Sequence, residues 1–147
     1  GRIVLCSSAV TVFTAPSGGP YSTSKFAVEA YSIVIRHELQ PYGVDVIEIV
    51  PGCFKTGLFN VQRLKKSIDT VWCRASQEMR DEYEYDYNEK VRTYMTVVQS
   101  RILNKNTTRV IDSYHEAVVA KRPKLLYRIG WDVLLAFFLF SWLPVRL

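Results

Sequence analysis

Tyr21 and Lys25 stand four residues apart, a spacing that on a helix puts both side chains on one face, one turn from each other. A free phenol ionises near pH ~10 and is a poor base at neutrality. An ammonium held beside it favours the phenolate, so the two can act as one acid/base unit that takes a proton from a hydroxyl or returns one to a carbonyl oxygen. Ser8 lies thirteen residues before Tyr21, directly after an apolar run, and offers a hydroxyl that could hold the reacting oxygen. Pro51-Gly52 closes a second apolar run, and Thr56 follows four residues past Gly52. Each feature is commonplace alone: a tyrosine on an amphipathic helix usually packs, Ser-Ser is commonly a turn and Pro-Gly a loop. Their joint order and spacing are what point to chemistry.

The elements that must position these residues are legible around them. Ile3-Val4-Leu5-Cys6 suits a strand buried on both faces of a parallel sheet. The stretch after Ser7-Ser8, to Pro20, with Thr14, Pro16, Ser17, Gly18 and Gly19, reads as a loop. From Tyr21 to Gln40 the apolar residues Phe26, Ala27, Ala30, Tyr31, Val34 and Ile35 recur at helical spacing, with Pro20 suited to the first turn and Pro41 and Gly43 marking the end. Val44 to Val50 is a second buried strand, which completes a βαβ unit with an expected right-handed crossover. In open α/β sheets ligands bind outside the carboxyl ends of the strands, so Ser8, Pro51-Gly52 and Thr56 are expected to face one crevice. Residues 61–103 carry helical periodicity, dense charge and the tyrosines Tyr83, Tyr85 and Tyr87. A helix is expected over Val110 to Ala120, started by Thr107 or Thr108, then a short strand at Leu125-Leu126-Tyr127.

Composition narrows the function classes. A chain of 147 residues that is 48% hydrophobic can bury a core. Cys6, Cys53 and Cys73 are too few and too irregular for a disulfide framework, and His37 and His115 lack the companions a metal site needs. The net charge of +5 includes two clusters, Arg63/Lys65/Lys66/Arg74 and Lys121/Arg122/Lys124/Arg128. Solvated helix faces explain most such runs. Nucleic-acid binding is not expected, since no aromatic-interleaved basic stripe accompanies them. The second cluster precedes the apolar stretch Val133 to Val145, which holds Phe137, Phe138, Phe140 and Trp142 and is shorter than the ~20 residues a bilayer span needs. Three readings stay open for it: a covered core helix, an interfacial membrane helix flanked by Trp131, Trp142 and Arg146, or one end of a longer span.

Gly1-Arg2-Ile3-Val4 through Ser7-Ser8, then Tyr21-Ser22-Thr23-Ser24-Lys25 with Phe26 to Ala30, then Gly43-Val44-Asp45-Val46 and Pro51-Gly52-Cys53-Phe54-Lys55-Thr56, resemble successive signatures of the short-chain dehydrogenase/reductase family. The resemblance implies an α/β fold, the C-terminal part of a Rossmann-type doubly wound parallel sheet, spanning residues 1–130 with a helical substrate-side insertion at 61–105 and an apolar tail at 131–147. It implies NAD or NADP as cofactor, Tyr21 as the catalytic acid/base, Lys25 as its partner and ligand of the nicotinamide ribose, and Ser8 as the group that positions the substrate oxygen. Pro51, Gly52, Phe54 and Thr56 would then contact the nicotinamide end. Trp72, Tyr83, Tyr87 and the stretch from Tyr127 to Trp131-Asp132 are similar to the retinol, 17β-hydroxysteroid and D-β-hydroxybutyrate dehydrogenases, although Glu84 departs from a glycine common there. This branch implies a small lipophilic alcohol or ketone as substrate, association with a membrane of the endoplasmic reticulum or mitochondrion, and a homo-oligomer through the long helix.

The family's Gly-rich phosphate turn, ribose selector, Asn-Ala-Gly segment and catalytic asparagine have no counterpart in these residues. The chain therefore reads as part of a protein about twice as long, inactive by itself, with the choice of NAD or NADP made elsewhere. A competing reading is a non-catalytic, membrane-docked scaffold that keeps the fold. Asn106-Thr107-Thr108 is a glycosylation sequon that matters only on a luminal face.

Overall fold

The computed structural model describes every residue except 13, 15–17, 58–59, 84–85 and 141–147, and the side chains at 98–100, 102, 136–138 and 140 are also left aside. Residues 13 and 15–17 of the predicted loop, Glu84, Tyr85 and the tail from Trp142 to Arg146 thus lie outside the described residues, as do the side chains of Phe137, Phe138 and Phe140. The chain forms two compact units, Gly1–Cys53 with Asn106–Leu147, and Phe54–Lys105.

The first unit is a three-stranded parallel sheet in the order β1 (Arg2–Cys6), β2 (Asp45–Pro51), β3 (Leu126–Ile129). It carries helices α1 (Gly19–Leu39), α5 (Thr108–Val119) and α6 (Trp131–Phe140). The βαβ unit expected from the apolar runs is present: β1 pairs with β2 in the register Cys6 to Ile49, and α1 makes the crossover. β2 is the middle strand, and its Val46, Ile47, Ile49 and Val50 are buried to 2% exposure or less, as a strand covered on both faces requires. The third strand falls at Leu126–Ile129, slightly later than Leu125 to Tyr127.

Three polar side chains lock these layers. Arg36, in the last turn of α1, donates from Nε to the Val46 carbonyl (3.0 Å) and from Nη2 to that of Leu125 (3.2 Å). Arg2 on β1 donates to the carbonyls of Ala117, Val118 and Ala120, where a cation is favoured because the last turn of α5 leaves its carbonyls unpaired. Both arginines thus spend their donors on backbone oxygens. The third is internal: Glu48 on β2 is 3% exposed, and its Oε2 accepts from Ser32 Oγ of α1 at 2.7 Å. Thr107 precedes α5 but makes no side-chain cap; Asn106 Oδ1 accepts from the Thr108 N–H instead (3.0 Å).

The second unit holds α2 (Val61–Arg74), α3 (Gln77–Glu82) and α4 (Tyr87–Ile102), so the helical periodicity of 61–103 resolves into three helices. Asn60 caps α2 by accepting from the Gln62 and Arg63 N–H groups (3.0 and 3.1 Å), and Ser76 caps α3 through the Met79 N–H (3.2 Å). Asp69 of α2 joins α4 through Asn88 (3.1 Å) and Arg92 (3.4 Å). Trp72, Tyr83 and Tyr87 form one aromatic cluster with ring centroids 4.7 to 6.4 Å apart.

The Ser32 hydroxyl supplies a hydrogen bond to a carboxylate that has almost no water. Ser32→Ala is expected to cost about 1–3 kcal/mol, measured by denaturant unfolding, whereas Ser24→Ala, at an exposed hydroxyl that bonds only its own helix, should cost much less. Equal stabilities would show that this contact does not hold α1 to the sheet.

Candidate functional site

Ser8 and the Pro51-Gly52 turn stand at the carboxyl ends of β1 and β2, and Lys25 contacts the end of β1. β1 runs out at Cys6, and the chain continues through Ser7, whose N–H bonds the Ile49 carbonyl of β2 (2.9 Å), to Ser8. Ser8 is buried; its Oγ accepts from the Val10 N–H (3.4 Å) and caps a short 3-10 turn at Ala9–Thr11. The hydroxyl hydrogen of that side chain is thereby free to be donated elsewhere, the role expected of a residue that steadies a substrate oxygen.

α1 is docked onto this strand end at one residue. Lys25 receives Ser7 Oγ on its backbone carbonyl (3.4 Å) and donates from Nζ to the Cys6 carbonyl (3.1 Å). The same ammonium lies 5.9 Å from the centroid of the Tyr21 ring. Tyr21 and Lys25 therefore share a face, and the lysine joins the ring to β1. Tyr21 is 41% exposed, so its ring is open to an incoming molecule, and its helix turn is tightened by Ser24 Oγ bonding the Tyr21 carbonyl (2.7 Å). Only one Lys25 ammonium hydrogen is needed for Cys6, which leaves the others available to hydroxyl or phosphate oxygens.

Pro51 ends β2, and Gly52 bonds through its N–H to the Ile129 carbonyl of β3 (2.7 Å). Here the structure adds a residue that motif reading passed over. Asp132, in the first turn of α6, accepts the Cys53 N–H on Oδ2 (2.7 Å). A side chain at Gly52 would collide with that carboxylate, and so would one at Gly130, whose φ of +121° also suits only glycine. Gly52 is thus required by the seat of Asp132, a reason independent of any cofactor. The signal was available in sequence as an aspartate two residues past a glycine at a strand end, but its partner lies 79 positions away. Phe54 and Thr56 belong to the second unit. Phe54 is buried there, bridged to Asn104, and Thr56 is exposed.

The electrostatics around the sheet edge follow burial. The Cys53 thiol is pushed up to about 11 by burial first, and then by the adjacent Asp132 charge and its hydrogen bond. Tyr114 of α5 is raised by burial and by contact with Cys6. Glu29 of α1 is raised by burial and by the charge of Glu48, against opposing contributions from Thr11 and Arg128. Among the described residues no cluster of His, Cys, Asp and Glu could hold a metal ion.

The α/β unit is thus a parallel sheet with a serine and a tyrosine–lysine helix face at the end of β1 and a Pro-Gly turn at the end of β2. The short chain dehydrogenase family model matches residues 1–67. Over its length the chain is 36% identical to a 3beta-hydroxysteroid dehydrogenase of Caenorhabditis elegans (100% of this chain, 38% of that protein). It is 33% identical to retinol dehydrogenase 7 of Mus musculus (100% and 43%) and 34% identical to 17-beta-hydroxysteroid dehydrogenase type 6 of the same species (100% and 46%). The chain belongs to the short-chain dehydrogenase/reductase family. It spans less than half the length of these curated relatives.

The clamp on Cys53 has a pH signature. A thiol kept neutral by the fold contributes stability that is complete below the ordinary value of 9.0 and is lost as pH rises through about 11. With Cys6 and Cys73 replaced by serine, alkylation of Cys53 by iodoacetamide should reach half its maximal rate near pH 11, and Asp132→Asn should move that midpoint down. An unmoved midpoint would separate Asp132 from the thiol.

Proposed function

We propose that the protein to which these residues belong is an NAD- or NADP-dependent oxidoreductase that interconverts a lipophilic alcohol and its ketone or aldehyde, of the retinoid or steroid kind. The reading is carried by one observation: the Lys25 ammonium bonded to the carbonyl at the end of β1 while lying 5.9 Å from the Tyr21 ring. The names of the steroid and retinol dehydrogenases to which the chain is similar supply the substrate class.

The residues present fit a nicotinamide dinucleotide. Lys25 keeps ammonium hydrogens for ribose hydroxyls, and the Pro51-Gly52 turn at the end of β2 would border the nicotinamide end. When bound, that group supplies the site for hydride gain or loss. The protein's own residues do the rest. In the oxidative direction the Tyr21 oxygen accepts the alcohol proton; in the reductive direction it returns one to the carbonyl oxygen. Lys25 stabilises negative charge on the Tyr21 oxygen, and the Ser8 hydroxyl donates to the substrate oxygen as charge develops on it.

Two surfaces bear on the partners. α6 exposes Trp131, Leu134, Leu135 and Leu139, each by 51 to 61%, behind the exposed cations Lys121, Arg122 and Lys124. No described helix is long and apolar enough to cross a membrane, and this combination supports attachment at an anionic lipid surface. α1 exposes Phe26, Tyr31, Ile33 and Val34 by 44 to 60%, which supports packing against a second copy.

In the whole protein Tyr21→Phe should lower kcat by about 100-fold or more while leaving cofactor affinity, read by quenching of protein fluorescence, close to normal. Near-normal turnover in that variant would take Tyr21 out of the chemistry and leave the scaffold reading. Leu134→Asp with Leu135→Asp should reduce co-sedimentation with phosphatidylserine-containing vesicles; undiminished binding would show that α6 is not the attachment surface.

A further inference from the structure

The second unit contains a cavity of about 410 Å³ lined by Trp72, Gln77, Arg80, Asp81 and Tyr83. Its size lies in the range of small-molecule sites. Two of its walls are aromatic: Trp72 and Tyr83 meet edge to face, with planes 76° apart, and Tyr87 stacks near Trp72 at 5.9 Å and 30°. The rings are braced against one another, so the Trp72 face is a fixed, flat, apolar surface.

Arg80 sets the polarity of this cavity. Its Nε is shielded from solvent and has no hydrogen-bond acceptor among the described residues. A buried donor on a charged group left without an acceptor is among the costlier defects a fold can carry. The acid among the lining residues, Asp81, is engaged by Gln77, whose Nε2 donates to Asp81 Oδ1 at 2.7 Å. An acceptor brought from outside would remove the defect. A planar guanidinium recognises a carboxylate through parallel hydrogen bonds. The Asp81 charge on the same wall disfavours a dianion such as a phosphate monoester and leaves a monoanion as the better match.

We propose that the cavity lined by Trp72, Arg80 and Tyr83 binds a flat, apolar monocarboxylate, with its ring system against Trp72 and its carboxylate on Arg80. This assigns to the helical unit a ligand class different from the neutral alcohols and ketones proposed above. It does not depend on the chemistry of Tyr21.

The test is calorimetric titration of the chain with 2-naphthoate and with 2-naphthylmethanol, which keeps the rings and lacks the charge. Naphthoate should bind saturably and at least about tenfold more tightly than the alcohol, the worth of a charge-assisted hydrogen bond. Arg80→Gln should abolish that preference, and Trp72→Leu should weaken both ligands. Because a substitution could disturb α3, the Arg80 Nε–H resonance of the unaltered, 15N-arginine-labelled protein gives a second reading: it should shift with naphthoate and stay still with naphthylmethanol. Equal affinities, a preference that survives in folded Arg80→Gln, or an Arg80 resonance indifferent to naphthoate would each overturn the proposal. Because Tyr21→Phe should leave naphthoate binding unchanged, failure here and failure of the oxidoreductase reading are separable.

Discussion

The hydrogen bond from Lys25 Nζ to the Cys6 carbonyl is the contact on which the organisation of the first unit turns. A lysine on a surface helix ordinarily extends into water and holds nothing. Here it reaches the last residue of β1, while the backbone of the same residue takes a hydroxyl from Ser7. Helix and strand end are thereby pinned at one point. Tyr21, one turn earlier, is carried to the sheet edge with its ring open to solvent. If the ammonium were elsewhere, Tyr21 would be one more aromatic on an amphipathic helix.

The opposite side of the edge is held by a different device. Asp132 sits against two glycines and takes the Cys53 N–H, so the first turn of α6 is fastened to the turn that leaves β2. A carboxylate at a helix N-terminus is stabilised there by the unpaired N–H groups of the first turn. The result is an edge in which one strand end is fixed by a cation and the next by an anion. Both contacts fall on backbone atoms, so they set the course of the chain and leave the Tyr21 and Ser8 side chains available for other partners.

The parts of this arrangement visible in sequence were those governed by local period. The runs at Ile3 to Cys6 and Val44 to Val50, and the apolar spacing from Phe26 to Ile35, specify two buried strands and a helix, and the structure has them at Arg2–Cys6, Asp45–Pro51 and Gly19–Leu39. The Tyr21–Lys25 face follows from the same helical arithmetic. What sequence could not supply were partners distant along the chain and used once. No pattern announces that Arg2 serves the end of α5, that Glu48 is buried against Ser32, or that Asp132 makes Gly52 obligatory. The start of α5 at Thr107 and Thr108 was legible, whereas the side chain that bonds the Thr108 N–H, that of Asn106, was not. Residues 61–103 were legible as helical but not as three helices, since the breaks at Ala75 and Tyr83 involve neither proline nor glycine.

The central claim is that Tyr21 and Lys25 operate as one unit. A double-mutant cycle on kcat/KM tests it most directly, comparing Tyr21→Phe, Lys25→Met and the pair in the whole protein. Coupled groups predict that the double variant loses little more than Tyr21→Phe alone, because the lysine has no phenol left to assist. Losses that multiply, so that the double variant falls by the product of the two single effects, would contradict the account.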